Sequence, residues 1–383
     1  MDNSINIAAI LIANCTGIFC LMFLICSRYA GKPDKSAGDY LFNGLMVIDI
    51  ASLLMETVSF LIDGSPGKFI HFLQYVSNAW LFFSAILAGY VWCLFVEFKV
   101  YNSFRRVRKM ALILAVPLSV CFVLVIANCF FDGLIFSVSQ DNVYQRGRMA
   151  GVCYVLICVY YIFSAVSVHI AKHKGRKIRF FPVYTFVLPC AAGTIVQGLC
   201  YGVSTGWFSG AIAILLVQIQ LQKEESLIDE LSGLYNRKYL EFYFKQFRLK
   251  KNTQIFGIMI DINFFKKIND SFGHTAGDAA IRLTGKMLSE WVDDTDTVIR
   301  FAGDEFVIIC EERTGDEVEA LIAGIKRRLS DYNKSSGLPY ELSFSMGYTE
   351  YCGEHMKLDD FLHDMDRMMY EDKEEYHNNC TRI

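Results

Sequence analysis

Seven long apolar stretches in the first 222 residues constrain most strongly how this chain can fold. Most of them have about 20 or more residues, the length at which an α-helix crosses a hydrocarbon core of about 30 Å. One such run can be a buried core helix, but seven in series, separated by short polar loops, predict an all-α polytopic membrane domain. The stretches cover approximately residues 5–27, 41–63, 70–97, 110–131, 150–171, 180–203 and 207–222.

Positive charge is distributed unequally over the loops between these stretches. Lys and Arg residues are abundant after the first, third and fifth stretches and scarce in the alternate loops. Because short loops rich in Lys and Arg stay in the cytoplasm, we predict a multi-pass protein of the inner (cytoplasmic) cell membrane, in contact with lipid, with its N-terminus outside and its C-terminal part in the cytoplasm. The basic loops contain Arg28, Lys32, Lys35, Lys99, Arg105, Arg106, Arg108, Lys109, Lys172, Lys174, Arg176, Lys177 and Arg179, and the alternate loops contain Lys68, Arg146 and Arg148.

Charge also divides the chain near residue 222. Residues 1–222 contain 16 Lys and Arg against 9 Asp and Glu, whereas residues 223–383 contain 21 against 31. The two parts therefore have net charges of +7 and −10, which agree with the −3 of the whole chain. We predict a seven-helix transmembrane sensor domain over residues 1–216, a helical connector over 217–228 and a soluble domain over 229–383.

Two acidic residues, Asp49 and Glu56, lie within the second apolar stretch. Their spacing of seven residues places both on one face of a helix, and ionised groups at membrane depth are costly and usually face partners. They could form a site that senses a ligand or protons, together with Asn78, His169 or Gln197. A neutral, hydrogen-bonded structural pair is the alternative, and these residues do not identify the signal.

The last apolar stretch continues without Gly or Pro into the sequence VQIQLQKEESLIDEL, residues 217–231. Apolar residues recur there at helical spacing, at Val217, Leu221, Ile228 and Leu231. A continuous helix leaving a membrane can transmit a rotation or a shift, and its apolar stripe could pair with a second copy of the chain. A plain helical linker is equally compatible with the sequence.

Strand and helix patterns alternate through the rest of the chain. Their order predicts an α+β domain in which helices cover an antiparallel sheet. The predicted strands cover residues 254–262, 297–301, 306–311 and 340–349, and the predicted helices cover 276–291, 315–334 and 358–375.

Acidic residues lie where two of these strands meet turns. Asp261 ends the first strand, and Asp304 and Glu305 follow the glycine of the hairpin RFAGDEFVII, where Gly-Asp is also favourable turn chemistry. Carboxylates from two strand ends can hold Mg²⁺, which neutralises phosphate charge and lowers the pKa of an attacking hydroxyl. The N–H groups of Phe264 and Phe265, near a helix start, could bind phosphate. The pattern favours nucleotide-dependent phosphoryl or nucleotidyl transfer.

Five motifs are distributed over residues 229–378: DELSGLYNR, DINFFKKINDSFGHTAGD, RFAGDEF, SFSMGYT and MDRMMYEDK. In this order and spacing they resemble the GGDEF domain, the catalytic module of diguanylate cyclases. The resemblance implies that two GTP are condensed into cyclic di-GMP with release of two pyrophosphates. It further implies a homodimer, formed through this domain and the connector, in which the 3′-hydroxyl of each GTP attacks the α-phosphate of the other. Mg²⁺ (or Mn²⁺) would be the cofactor, and no nucleic acid is expected as a partner.

The resemblance also assigns roles to individual residues. Asp261 and Asp304 would hold the metal, with the carbonyl oxygen of Ile262 as a further ligand. Glu305 would help to bind the metal and assist deprotonation of the 3′-hydroxyl, so Asp304 and Glu305 are the expected catalytic residues.

The expected substrate-binding residues include two at the guanine-reading positions, Asn269 and Asp278. A carboxylate accepts hydrogen bonds from the N1–H and N2–H₂ donors of guanine, so Asp278 favours guanine over adenine. Structural roles are the alternative, with Asn269 and Asp278 as helix caps and Lys373 as a solvated charge. The other expected contacts to the nucleotide are Phe264, Phe265 and Lys266 at the β- and γ-phosphates, Lys373, Ala302 and Gly303.

Four positions depart from the family pattern. Ala302 replaces the first glycine of the signature, which would cost on the order of 1 kcal/mol at positive φ but would be tolerated in extended backbone. His377 replaces a phosphate-binding arginine, which predicts a weaker phosphate contact, and Tyr376 replaces the adjacent glycine. Asp293 replaces the arginine of an RxxD product-inhibition site whose aspartate, Asp296, is present. We therefore predict no product inhibition through this site.

These departures leave three functions open. The chain can be a membrane-bound diguanylate cyclase controlled by its transmembrane region. It can instead carry a catalytically inactive GGDEF domain that serves as a GTP-binding, dimerisation or regulatory module. A transporter with an appended regulator is the third alternative.

Overall fold

A computed structural model describes residues 6–31, 36–173, 183–199, 203–247, 254–293, 295–352 and 356–380. Within these ranges the chain forms two compact units, Met1–Gln222 and Lys223–Ile383. Several basic residues used to predict the membrane orientation lie outside the described residues, namely Lys32, Lys35, Lys174, Arg176, Lys177 and Arg179.

The described part of the first unit is helical apart from one short antiparallel hairpin. Ser36 begins the second helix with a capping box, in which Asp39 bonds back to the N-cap backbone. The elements are α1 (Ile7–Gly31), α2 (Ala37–Ile62), α3 (Lys68–Tyr101), α4 (Phe104–Asn128), β1 (Phe136–Val138), β2 (Tyr144–Arg146), α5 (Ala150–His173), α6 (Val183–Leu199) and α7 (Gly206–Glu225).

Five helices in the described part, α1 to α5, are long and apolar enough to cross a membrane. The described part of α6 contains a shorter apolar helix, Val183–Gln197. The last turns of α7 carry Gln218, Gln220 and Gln222, which lower its hydropathy. A helical region with five candidate spans is therefore established, and the sixth and seventh predicted spans are not confirmed.

Apolar side chains face both inward and outward in this unit. Trp92 is fully buried, and its ring stacks on that of Phe186 with 3.9 Å between centroids. On the outer surface, Leu112 is 78% exposed and Phe19 is 73% exposed. Contiguous exposed apolar helix faces are unfavourable in water and suit a hydrocarbon environment.

The second unit is a five-stranded sheet with helices on both faces. The strand order is β3-β5-β6-β4-β7, and all neighbours are antiparallel except β3 and β5, which are parallel. The α+β class is confirmed, but the sheet is mixed rather than purely antiparallel. The elements are β3 (Tyr235–Asn236), α8 (Arg237–Phe247), β4 (Ile255–Ile262), α9 (Phe265–Phe272), α10 (His274–Trp291), β5 (Thr297–Ala302), β6 (Glu305–Glu311), α11 (Gly315–Ser336), β7 (Phe344–Glu350) and α12 (Leu358–Cys380).

The central strand β4 is buried along its whole length and supplies two hydrophobic cores. Ile258 and Ile260 point into the core shared with α10 and α11, whereas Ile255 and Met259 point into the core shared with α8 and α12. Successive side chains of a strand alternate between its faces, so a continuous apolar run matches burial on both sides.

The last strand begins four residues later than the sequence predicts, at Phe344. The Asn333 side chain bonds to both backbone groups of Leu342, accepting from its N–H at 3.1 Å and donating to its carbonyl at 2.7 Å. This side chain occupies the backbone groups that a longer β7 would have used for strand pairing.

The connector is helical only as far as Glu225, so the helix predicted over 217–228 ends early. Ile228 instead forms a β-bridge with Tyr235. Val217 and Leu221 are buried in the core of the first unit, and Leu231 packs against a core of the second. The predicted apolar stripe is therefore used within the chain itself and is not an open surface for a second copy.

Candidate active site

Three acidic residues meet at one end of the central strands. In the β4–β6 register Asp261 pairs with Glu305, and the N–H of Ile262 donates to the carbonyl of Asp304 at 3.3 Å. The neighbouring pair Ala302–Glu305 closes the β5–β6 hairpin after a register irregularity. The strand pairing thus brings Asp261 beside Asp304 and Glu305, which lie about 40 residues later in the sequence.

The electrostatics of this cluster favour a bound cation. Burial, followed by the charge of Asp261, raises the pKa of Asp304 above its ordinary value. Burial and the charges of Asp261, Asp304 and Asp366 raise the pKa of Glu305. Lys373 opposes both shifts, and its Nζ donates to Asp261 Oδ1 at 2.8 Å. Lys373 is therefore part of the cluster and not a free solvated charge.

The donor set fits a metal that binds together with a nucleotide. Across the described residues, no group of three His, Cys, Asp or Glu side chains is arranged to hold a metal ion unaided. Asp261, Asp304 and the carbonyl of Ile262 supply hard oxygen donors, the kind that Mg²⁺ prefers. Mg²⁺ usually keeps several waters and completes its shell with substrate phosphates, so a full protein cage is not required.

The hairpin turn is held by residues whose roles the sequence did not reveal. Gly303 has φ 44°, and its carbonyl accepts from Arg300 Nε at 3.0 Å and from the Arg300 terminal nitrogen at 2.8 Å. Arg300 also donates to both carboxylate oxygens of Asp229, at 2.9 and 3.1 Å. Both residues lie in quoted motifs, but only the fold shows that Arg300 joins the motif DELSGLYNR to the signature turn.

Ala302 has ordinary extended backbone. Four non-glycine residues among those described have positive φ, and Ala302 is not one of them. It is the last residue of β5 and is exposed, so its Cβ causes no backbone strain. The requirement for left-handed backbone falls on Gly303.

We expect the substitution Ala302→Gly to change the rate of cyclic di-GMP formation by less than about threefold. Because Ala302 is already extended, a glycine there relieves no strain and only adds freedom to the unfolded chain, about 0.5–1 kcal/mol of destabilisation. Steady-state rates and unfolding of both proteins check this. A rate increase of tenfold or more would show that the methyl group obstructs the nucleotide.

The predicted phosphate loop precedes α9. Phe264 is the N-cap of α9, with φ 56° and no side-chain capping bond, and its side chain is 44% exposed. The Phe264 ring stacks on that of His377, with 4.6 Å between centroids and 17° between planes. His377, which replaces the family's arginine, therefore lies beside this loop. Phe265 is the first residue of α9, and Lys266 is exposed in its first turn.

The two guanine-reading candidates lie close together. A Cβ on Gly277 would be only 2.1 Å from Asn269 Oδ1, so the Asn269 side chain packs against the residue that precedes Asp278. Gly273 is the C-cap of α9 and the N-cap of α10, which rules out the alternative that Asn269 and Asp278 are caps. Asp278 is exposed, as a residue that reads a bound base requires.

A salt bridge occupies the position of the product-inhibition motif. Asp296 is fully buried, and its Oδ1 accepts from Arg313 Nε at 3.0 Å. Arg313 also donates to Asp293. The guanidinium thus comes from the short segment between β6 and α11, which sequence spacing did not indicate, and it binds both acids.

We expect micromolar cyclic di-GMP not to inhibit the protein through this motif. The Asp293 carboxylate repels the phosphates of the product, and Arg313 is already bonded to two acids. Isothermal titration calorimetry of cyclic di-GMP into the full chain checks this. Tight binding that disappears in Arg313→Lys would contradict it.

The fold and the hairpin define a class of α+β domain that carries a cluster of acidic residues at the end of its central strands. Such a cluster is suited to a metal ion that binds together with a nucleotide. Residues 226–379 match the family model described as "Diguanylate cyclase, GGDEF domain". The C-terminal unit is accordingly a GGDEF-like domain. The match covers less than half of the chain, and the first unit lies outside it.

Curated proteins with similar sequences are named diguanylate cyclases. The chain is 31% identical over 182 residues to the diguanylate cyclase DgcZ of Escherichia coli, which covers 46% of this chain and 60% of DgcZ. It is 31% identical over 167 residues to the diguanylate cyclase VdcA of Vibrio cholerae, which covers 42% of this chain and 48% of VdcA. The matches thus span 60% or less of these two relatives.

The solved structures that match part of this chain include GGDEF domains. The coiled coil and GGDEF domain of DgcB from Caulobacter crescentus, in complex with c-di-GMP, is 21% identical, covers 42% of this chain and 87% of that one, and gives a TM-score of 0.38. The GGDEF domain of PA1120 from Pseudomonas aeruginosa is 26% identical, covers 39% of this chain and 89% of that one, and gives a TM-score of 0.35.

Proposed function

We propose that this protein is a membrane-bound diguanylate cyclase of the inner membrane that condenses two GTP into cyclic di-GMP and two pyrophosphates. Its seven helices would span the membrane with the N-terminus outside and the GGDEF domain in the cytoplasm, and they would control the activity. The observation that carries the proposal is the cluster of Asp261, Asp304 and Glu305 beside Lys373, in a domain that matches the family model.

Each residue of the cluster has a distinct role in this proposal. Asp261, Asp304 and the Ile262 carbonyl would hold Mg²⁺ or Mn²⁺, which when bound supplies charge neutralisation at the phosphates. Glu305 takes the proton of the 3′-hydroxyl on a carboxylate oxygen, and its raised pKa makes it a stronger base than an ordinary glutamate. Lys373 holds the Asp261 carboxylate in position through its 2.8 Å charge-assisted contact.

Substrate selection rests on the surface beside α9 and α10. Asn269 and Asp278 would bind the donor edge of guanine, and Phe264, Phe265, Lys266, Ala302 and Gly303 would surround the phosphates. Adenine has an acceptor at N1, where guanine has the N1–H donor, and it lacks the N2 amino group, so Asp278 disfavours ATP.

A second copy of the chain completes the reaction. Each domain binds one GTP, and the two 3′-hydroxyls attack across the dimer, so a single domain cannot close the cyclic product. Because the predicted connector stripe is buried within the chain, we propose that the GGDEF domains themselves supply much of the dimer contact.

The test is the full chain in lipid nanodiscs, supplied with GTP and Mg²⁺ and analysed for cyclic di-GMP by mass spectrometry. We expect product from GTP and none from ATP. The rival function, an inactive GTP-binding module, is motivated by Ala302 and His377. It would be established by GTP binding without product at any protein concentration, together with product from the Ala302→Gly variant.

A further inference from the structure

The first unit contains a cavity of about 270 Å³ that the cyclase chemistry does not use. Its polar lining comes from the helix ends that the predicted topology places outside, including Glu56 on α2 and Gln74 and Asn78 on α3. Arg146, an exposed residue of the β1–β2 hairpin, also lines it and holds its guanidinium over the Tyr154 ring. The cavity therefore belongs to the outer half of this unit.

Asp49 lies at the inner part of this cavity with an unsatisfied carboxylate. Its side chain is buried, with 4% exposure, and within the described part of the chain no donor bonds to Asp49 Oδ2. Asp49 is one of the residues that line the cavity, so a ligand in the cavity lies against this side chain. A buried carboxylate without a donor is expensive, and a cation that enters the cavity would remove this penalty.

Glu56 lies seven residues after Asp49 on α2, and its carboxylate oxygens accept hydrogen bonds from other helices. Gln197 donates to it at 3.0 Å, Asn14 donates at 3.4 Å, and the Ser204 hydroxyl donates as well. Glu56 thus adds negative potential to the cavity while its oxygens are engaged by three helices or their ends. His169, the other partner that the sequence suggested, is exposed and packs edge-to-face against His173. Asp63, the third acid of the lining, accepts from Gln74 at 2.9 Å and from the Tyr144 N–H at 3.0 Å, so among the described residues Asp49 is the lining acid with a buried oxygen that no donor reaches.

The rest of the lining suits an apolar body. Tyr161, Phe186 and Trp207 contribute aromatic rings to the cavity wall. Aromatic faces pack against apolar groups and also attract cations. The volume is close to the lower end of small-molecule pockets, about 300–1,000 Å³.

We propose that this cavity is the sensor site of the membrane region and that it binds a small organic amine, whose ammonium pairs with Asp49 and whose aromatic body packs against Tyr161, Phe186 and Trp207. The proposal rests on the proposed function only in calling the site a sensor. The binding itself does not depend on the cyclase.

The site has a direct route to the rest of the chain through α7. A Cβ on Gly210 would be 2.7 Å from Asp49 Oδ1, so the backbone of α7 lies directly against the carboxylate. Trp207 and Ile214 of the same helix line the cavity, and α7 continues unbroken to Glu225. An ammonium that draws Asp49 toward itself acts at this contact and biases the position of α7.

The test compares 2-phenylethylammonium with its neutral analogue 2-phenylethanol, each titrated calorimetrically into the full chain in nanodiscs without GTP. We expect the amine to bind at least about tenfold more tightly, the ratio given by one charge-assisted hydrogen bond. Asp49→Asn should reduce the affinity for the amine to that for the alcohol. The matched control, Asp132→Asn, removes an exposed acid on the same side of the unit and should leave both affinities unchanged.

Equal affinities for amine and alcohol in the wild-type protein would overturn the proposal, even if Asp49→Asn fails to fold. So would tight amine binding that survives Asp49→Asn. The cyclase response is measured separately, as the rate of cyclic di-GMP formation with and without the amine. Amine binding in a protein that forms no cyclic di-GMP would refute the cyclase function but would still support the amine-binding site.

Discussion

Replacing Asp304 by Asn should lower cyclic di-GMP formation at least about a hundredfold, because the substitution removes one of the carboxylates that we propose bind the metal and leaves developing phosphate charge uncompensated. The amide has nearly the same shape as the carboxylate, so the β5–β6 hairpin should be retained. The measurement is the initial rate at saturating GTP and Mg²⁺. Asp331→Asn, which changes an exposed acid of α11, is the matched control and should keep full activity.

The same variant should be slightly more stable than the wild-type protein when Mg²⁺ is absent. The pKa values of Asp304 and Glu305 are raised in the fold, so the folded state gains stability as pH falls through the raised values and loses it as pH rises past them. When both groups are ionised they repel each other, and the amide removes one of these charges. Mg²⁺ with GTP should raise the melting temperature of the wild type and not that of Asp304→Asn.

Three outcomes of this experiment are informative. Loss of activity together with loss of folding would mean that Asp304 is a structural turn residue, as Gly-Asp turn chemistry alone suggests. Activity that survives the substitution would contradict the metal role. The third informative result is the pH profile of the wild-type activity. Protons compete with the metal for the carboxylates, so the activity should fall as pH drops through the raised pKa values of Asp304 and Glu305.

The sequence predicted the elements whose signals are local. The apolar run of β4 and the Gly-centred turn of the hairpin are found within two residues of their expected positions, because side-chain alternation and turn chemistry act over a few residues. The convergence of Asp261 with Glu305 was also predictable, since both flank strands that pair directly.

Interactions between distant positions were not predictable in this way. Arg300 bonds to Asp229 across 71 positions, and Arg313 bonds to Asp296 from a neighbouring strand end. A basic residue carries no local sign of which acid it will meet, so these pairs become visible only when the sheet order is known.

The connector shows how a local pattern can mislead. The apolar residues from Val217 to Leu231 continue a helical repeat, yet the helix ends at Glu225. The Asp229 carboxylate accepts from the Ser232 N–H at 2.8 Å and from Arg300, which favours a turn over further helix. The backbone beyond the helix end pairs with the segment that follows this turn, since the Asn236 N–H donates to the Leu227 carbonyl at 2.9 Å, and local periodicity does not reveal such pairing.

Replacing Gly347 by Ala should destabilise the C-terminal unit by at least about 3 kcal/mol, the upper range for overpacking a well-filled core. A Cβ on Gly347 would lie 2.0 Å from the backbone nitrogen of Met369 and 2.3 Å from the backbone carbon of Met368. Backbone atoms of a helix cannot relieve a clash by changing rotamer, as a side chain can, so α12 must move away from β7. Pulse proteolysis of the full chain in nanodiscs measures this loss within the soluble unit.

The shift should also reach the active site, because α12 carries Lys373 to Asp261 one turn beyond the Gly347 contact. Activity of any folded Gly347→Ala protein should fall with weaker metal dependence, whereas Gly324→Ala is the matched control. A Cβ on Gly324 meets no described atom within 4 Å, and alanine in an exposed helix should stabilise the unit by about 0.5–1 kcal/mol. Equal stability of the two variants would mean that α12 is not packed against β7 as closely as this arrangement requires, and the positioning of Lys373 would then need another cause.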